Sequence, residues 1–329
     1  MNNPSLSRRG FIGAVAAAAA GSTATRGLAA SASPAMNDIP IIDTHIHLFD
    51  PTRPQGIPWP PKNNAKLYRP ALPPRYKSLA VPLGIKGAIE VECSAWLEDN
   101  QWVLDVAASD PIMVGTIGSL EVGTPEFRGQ LERFARNPLF RGIRHGNLWG
   151  RNLAASVGKP EFISDLKALA QAGLVLDTAN PDLALIEAIV KLSDKVPSLR
   201  IVIDHLPKIT LPPAGPALDA YRANLREIHQ RPQIYVKMSA VLREDNGRIP
   251  QDLAFYRPRL DEIWEIFGED RIVYGSDWPN SDQVGEYHEV LAIVRAYFAT
   301  KTRAQAEKYF WKNSVAAYRW VKRDPSQPS

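Results

Sequence analysis

The feature that most narrows the fold is a series of short runs that are apolar on both faces. "LVLDT" (174–178) and "RIVIDH" (200–205) show almost no polar alternation. Strand side chains alternate with a period of two, so a run without alternation is covered on both sides, as in parallel sheets. Eight strands are predicted, at 39–43, 87–92, 112–117, 140–145, 174–178, 200–205, 234–239 and 271–276.

The segments between them carry helix periodicity and punctuation. "GTPEFRGQLERFARNP" offers Thr124 as N-cap, Pro125 in the first turn and Pro138 past the end. "NPDLALIEAIVKLSDKVP" repeats the device with Asn180, Pro181 and Pro197, and "PEFISDLKALAQAG" closes on Gly173. The late "RAQAEKYFWKNSVAAYRW" reads as one terminal helix docked by Trp311, Tyr318 and Trp320. Eight strands alternating with helices predict a (β/α)8 TIM barrel, one domain over 38–322. An open doubly wound sheet is the runner-up, but no Gly-rich dinucleotide or phosphate loop follows the first strand. The Pro-rich stretch 51–82 reads as an ordered loop over the barrel mouth, punctuated by Trp59, Tyr68 and Tyr76.

Barrel chemistry gathers at the C-terminal strand ends. Those ends carry His45 and His47, then Glu90 and Glu92, then Arg144 and His145. Asp177, Asp204 with His205, Lys237 with Ser239, and Asp277 follow. Four of the six histidines fall there; His229 and His288 lie in helical stretches and read as solvated surface. Glu90, Asp177 and Asp204 singly read as helix caps or lysine partners. His45 and His47, one residue apart, point the same way on a strand, and imidazole is the commonest metal ligand.

At these residues the chain resembles the amidohydrolase superfamily, in particular the amidohydrolase-related branch that includes lactone hydrolases of sugar and aromatic catabolism. The specific pieces are "IIDTHIHLFD" (41–50), "GIRH" (142–145), "VIDHLPK" (202–208), "RIVYGSDWP" (271–279) and "NSVAAY" (313–318). The resemblance implies that His45 and His47 form the first-strand pair, His205 is the later active-site histidine and Asp277 handles the proton. Binuclear members place a carboxylated lysine at the end of strand four, where this chain has "IRHG". Lys237 is on strand seven and is no substitute, so a two-metal site is not expected. Two readings stay open. One is a single divalent ion, zinc or manganese, on His45, His47, His205 and Asp277 as an N3O site with an open position. The other is metal-free catalysis by the same residues.

The implied chemistry is hydrolysis of a lactone, with Asp277 as general base and Arg144, beside His145, helping the histidines stabilise the oxyanion. There is no Gly-x-Ser-x-Gly elbow, so Ser276 reads as a packing residue. Lys208, Lys237, Arg144 and Arg151 read as mouth cations that hold a carboxylate or hydroxylated substrate. The rivals are a mononuclear decarboxylase or hydratase of the same superfamily and a non-catalytic periplasmic binding protein. The latter normally has two lobes and a hinge.

The front of the chain is set apart from the fold. "SRRGFIG" (7–13), a weakly apolar stretch and small residues to Ser33 read as a twin-arginine signal over 1–32, with the cut near Ala30 or Ala32. Export to the periplasm by the twin-arginine machinery is expected, with no membrane anchor after cleavage. Residues 1–36 hold Arg8, Arg9 and Arg26 and no acid. Without them, 39 basic against 35 acidic residues becomes 36 against 35, and the basic balance that would argue for nucleic acid disappears. Cys93, the single cysteine, forms no internal disulfide and reads as an inert core thiol.

Overall fold

The structure is a computed structural model and describes residues 36–329; the twin-arginine segment lies outside the described residues. Eight parallel strands run in sequence order around the sheet. They are β1 (Ile41–Ile46), β2 (Ile85–Val91), β3 (Met113–Gly118), β4 (Phe140–Arg144), β5 (Val175–Asp177), β6 (Arg200–Ile203), β7 (Ile234–Lys237) and β8 (Ile272–Val273). Register follows the apolar runs, as in Leu176 opposite Ile201, Ile201 opposite Ile234 and Val236 opposite Ile272. The last strand returns to the first through Thr44 N–H to Tyr274 O (3.1 Å), Asp277 N–H to His45 O (2.9 Å) and His47 N–H to Trp278 O (2.7 Å). This is the predicted barrel. β1 runs three residues further than expected, which brings His45 into the strand itself.

Two apolar layers hold it. Ile42, Ile89, Val91, Val114, Val175, Val202 and Val273 form an inner cluster, joined by Ala317 and Tyr318 of the terminal helix. The outer layer packs strands on helices through residues such as Leu104, Leu166, Leu185, Leu225 and Leu260, all at most 1% exposed. At about 1.5–3 kcal/mol for each buried aliphatic side chain, this layering opposes the ordering entropy of the chain.

Some punctuation differs from expectation. The cap of helix Leu183–Lys195 is Asp182, whose side chain accepts from Leu185 N, and not Asn180. Thr124 donates to Glu121 O, and helix Phe127–Ala135 begins without a side-chain cap. The terminal helix is three pieces, with a π turn at Lys308–Lys312 between Arg303–Glu307 and Asn313–Tyr318. No helix among the described residues is long and apolar enough to cross a membrane.

Candidate active site

The first strand places its histidines by an irregularity. Ile42 belongs to the inner cluster, so strict alternation would send residue 45 outward. The β1–β2 register shifts between Asp43 and Ile46. A bulge re-aims the side chains beyond it, and here it turns His45 and His47 into the barrel mouth. The rim carries backbone strain as well. Trp149 (φ 58°), Asn180 (φ 44°), His205 (φ 49°), Ala240 (φ 49°) and Asp277 (φ 62°) follow β4 to β8 in order and are all left-handed. Non-glycine residues in that region cost about 1–3 kcal/mol each and concentrate at functional sites.

Three imidazoles converge on one carboxylate oxygen. Asp277 Oδ1 lies 3.3 Å from His47 Nε2, 3.6 Å from His45 Nε2 and 3.6 Å from His205 Nε2. Its Oδ2 accepts from Asn280 Nδ2 at 2.8 Å. Burial works to raise the Asp277 carboxyl, but His205, His47 and His45 outweigh it and hold the group well below the usual carboxylate range. Burial, reinforced by Lys237, holds His45 well below the usual imidazole range, and burial pushes His205 down to about 4. The site therefore sets an ionised carboxylate against the neutral rings of His45 and His205. It opens on a cleft walled by Trp59, Arg144, Trp149 and Lys208.

Behind the rings is a buried ionic network. Lys237 Nζ reaches Asp177 Oδ2 (2.6 Å), Asp204 Oδ1 (2.9 Å) and His45 Nδ1 (3.1 Å), with all four side chains sealed from solvent. Tyr318 OH also donates to Asp177 Oδ2 (3.0 Å), so the terminal helix plugs the barrel and supports the site from below. Arg144 Nε donates to Asp204 Oδ2 (3.0 Å) and to Thr178 O (3.1 Å). Asp43, fully buried, ties the two site strands together. Its Oδ1 accepts from Ser276 N (2.8 Å) and His45 N (3.2 Å), and its Oδ2 accepts from the hydroxyls of Tyr76 and Tyr287 (2.9 Å each).

Of the residues singled out in the sequence, His45, His47, His205 and Asp277 come together, with Arg144 on the cleft wall. His145 does not join them. Its ring packs against Phe162 at 5.0 Å, on helix Pro160–Gln171, and neither nitrogen has a partner among the described residues. Lys237 is inside the barrel and not at its mouth, where Asp177 and His45 accept its hydrogens and Asp204 pairs with its charge. Asp177 and Asp204 are lysine partners, as one reading of them allowed. Arg151 is held by Glu121 and Ser119, which leaves Lys208 as a cleft cation with no ion pair among the described residues. Glu92 accepts from Trp149 Nε1 (3.0 Å), and Glu90 and Glu92 both line an adjoining cavity beside helix Leu97–Ser109. Cys93 is buried, and burial pushes its thiol up, as suits an inert residue. Asp43, Tyr76, Tyr287 and Tyr318 were missed. Asp43 stood in the quoted first-strand motif, whereas the tyrosines gave no signal beyond aromatic packing.

The donor set matches a metal site in its distances. Two ligands each about 2.1 Å from a tetrahedral ion are about 3.4 Å apart. The three Nε2-to-Oδ1 separations bracket that value, and His45 Nε2 is buried without a hydrogen-bond partner. By spacing and donor type His45, His47 and Asp277, with His205 beside them, can hold one divalent ion.

Residues 42–320 match the amidohydrolase family model. The chain belongs to the amidohydrolase family. Two relatives of this amidohydrolase are L-fucono-1,5-lactonases. The one from Burkholderia ambifaria is 28% identical over 75% of this chain and 82% of its own. The one from Burkholderia multivorans is 25% identical over 84% and 94%. Among solved structures, an amidohydrolase from Burkholderia multivorans with bound zinc superposes with a TM-score of 0.74. It is 22% identical and covers 85% of this chain and 99% of its own.

Proposed function

We propose that this amidohydrolase opens a lactone with water. The convergence of three imidazoles on the ionised Asp277, at the floor of a solvent-open cleft, carries the reading. The two lactonase relatives support the substrate class. A water resting on Asp277 Oδ1 gives its proton to that oxygen as it attacks the lactone carbonyl. The carboxylate then hands the proton on to the leaving alkoxide, which closes the cycle. Asn280, bound to Oδ2, keeps the carboxylate edge facing the cleft. Hydrogen-bond donors aimed at the oxyanion are worth about 3–4 kcal/mol each, and Arg144 is placed on the cleft wall to serve. A divalent ion, where bound by His45, His47, His205 and Asp277, would supply Lewis-acid polarisation.

The test is a pH-stat panel of sugar and aromatic lactones, run on wild type and Asp277→Asn. Loss of the base should lower turnover about 10²–10⁴-fold with much less change in KM, and labelled water should place one solvent oxygen in the product carboxylate. Carbon dioxide released from an aromatic acid, with no lactone opened, would move the assignment to the decarboxylase branch.

We also infer twin-arginine export to the periplasm, from "SRRGFIG" and the small-residue stretch ending at Ser33. Arg8→Lys with Arg9→Lys should leave precursor in the cytoplasm, and the mature N-terminus should fall between residues 28 and 33. Unchanged periplasmic delivery would refute this.

A further inference from the structure

The two histidines of the first-strand pair are held in different ways by their surroundings. His47 Nδ1 is 2.7 Å from the carbonyl of Val91. A carbonyl only accepts, so that nitrogen carries the hydrogen and Nε2 presents a lone pair to the cleft. His45 Nδ1 is 3.1 Å from Lys237 Nζ. An ammonium only donates, and Lys237 donates to Asp177 Oδ2 at 2.6 Å and to this ring nitrogen, while Asp204 Oδ1, 2.9 Å away, pairs with its charge outside hydrogen-bond geometry. A hydrogen on His45 Nδ1 would oppose one on Lys237, with both groups sealed from water. The competing acceptor, Asp204 Oδ1, is 3.5 Å from the same nitrogen, at the limit of a hydrogen bond.

We propose that Lys237 is a positioning residue that places the hydrogen of neutral His45 on Nε2. This makes His45 a donor into the cleft while His47 remains an acceptor. The proposal rests on the reading of this cluster as the catalytic site. His45 Nε2–H then points at the space between the imidazoles and Asp277, where a carbonyl oxygen gaining negative charge would be received. A cation at the same spot meets that hydrogen in place of a lone pair. It is left with His47, His205 and Asp277, so the cluster binds metal more weakly than its four-residue spacing suggests. A second consequence concerns His47. Its bare Nε2 faces an Asp277 oxygen at 3.3 Å, a pairing that wants a shared proton or a cation between them. That half of the site is where an ion would be held.

The tautomer is read directly by nitrogen-15 NMR of histidine-labelled protein, with His45 assigned by the loss of its signals in His45→Gln. Wild type is expected to show a protonated Nε2. Lys237→Arg, which still donates and never accepts, should keep that pattern. Lys237→Met alone strands two buried carboxylates, so it is paired with Asp177→Asn to preserve the charge balance. In that double variant Asp204 becomes the nearest partner, the hydrogen moves to Nδ1, and zinc, titrated against a competing chelator, binds at least tenfold more tightly. Turnover of the metal-free protein falls at least tenfold, with KM within threefold of wild type. A wild-type spectrum with the hydrogen on Nδ1 overturns the proposal. So does zinc affinity in the double variant within twofold of wild type. Should the double variant not fold, the wild-type and Lys237→Arg spectra decide. Neither the spectrum nor the zinc titration uses substrate, so a protein with the expected tautomer that opens no lactone keeps this assignment and loses the lactone reading.

Discussion

Replacing His145 by leucine should make the protein markedly less sensitive to acid and leave its chemistry intact. The ring is 2% exposed, both nitrogens lack partners, and burial, with Arg151 adding to it, pushes its pKa from 6.5 to about 3. The folded state thus refuses a proton that the unfolded chain accepts below pH 6.5. A histidine with a depressed folded pKa lends stability that is complete above the unfolded value and declines as pH falls toward the folded one. At about 1.4 kcal/mol per pH unit, the loss is about 2 kcal/mol by pH 5 and up to about 5 kcal/mol by pH 3. Leucine removes the titration and two stranded polar atoms in an apolar environment already supplied by Phe162. Urea unfolding at pH 7.5 and pH 5 is the assay: wild type should lose about 2 kcal/mol more than His145→Leu between the two. Parallel losses would refute the reasoning. A hundredfold fall in activity at pH 7.5 would show that His145 does belong to the catalytic group.

Three further perturbations test the support of the site. Asp43→Ala leaves the hydroxyls of Tyr76 and Tyr287 without their acceptor and frees Ser276 N; thermal unfolding should report a loss of about 3–5 kcal/mol, as for other broken buried networks. Tyr318→Phe removes one hydrogen bond to a buried carboxylate, and chemical denaturation should show about 1.5–3 kcal/mol lost. Trp59 packs edge-on to His47 with ring centres 5.6 Å apart, so Trp59→Ala should raise KM more than it lowers kcat in steady-state kinetics.

The barrel was legible because its signal is redundant: of eight short runs most are apolar on both faces and report the same layer, and an error of two residues in one does not disturb the others. Boundaries slipped where a local choice between nearby residues decided. Asp182 caps its helix because its side chain reaches Leu185 N at 2.8 Å, whereas Asn180, two residues earlier, adopts the left-handed backbone of the rim. The site was legible in part for a related reason. Residues whose chemistry depends on type, such as the histidines and Asp277, announce themselves by spacing. Residues whose role depends on what lies opposite do not. His145 followed Arg144 at a strand end and shared its motif, but consecutive strand residues face opposite ways, so one lines the cleft and the other packs beneath a helix. Lys237 and Tyr318 are 81 positions apart and meet only because β7 and the terminal helix both end at Asp177. A lysine read from sequence is a solvated charge until its acceptors are counted. Here two acceptors and the charge of a second aspartate account for its location in the core, and the hydrogen it gives His45 governs the use of that histidine.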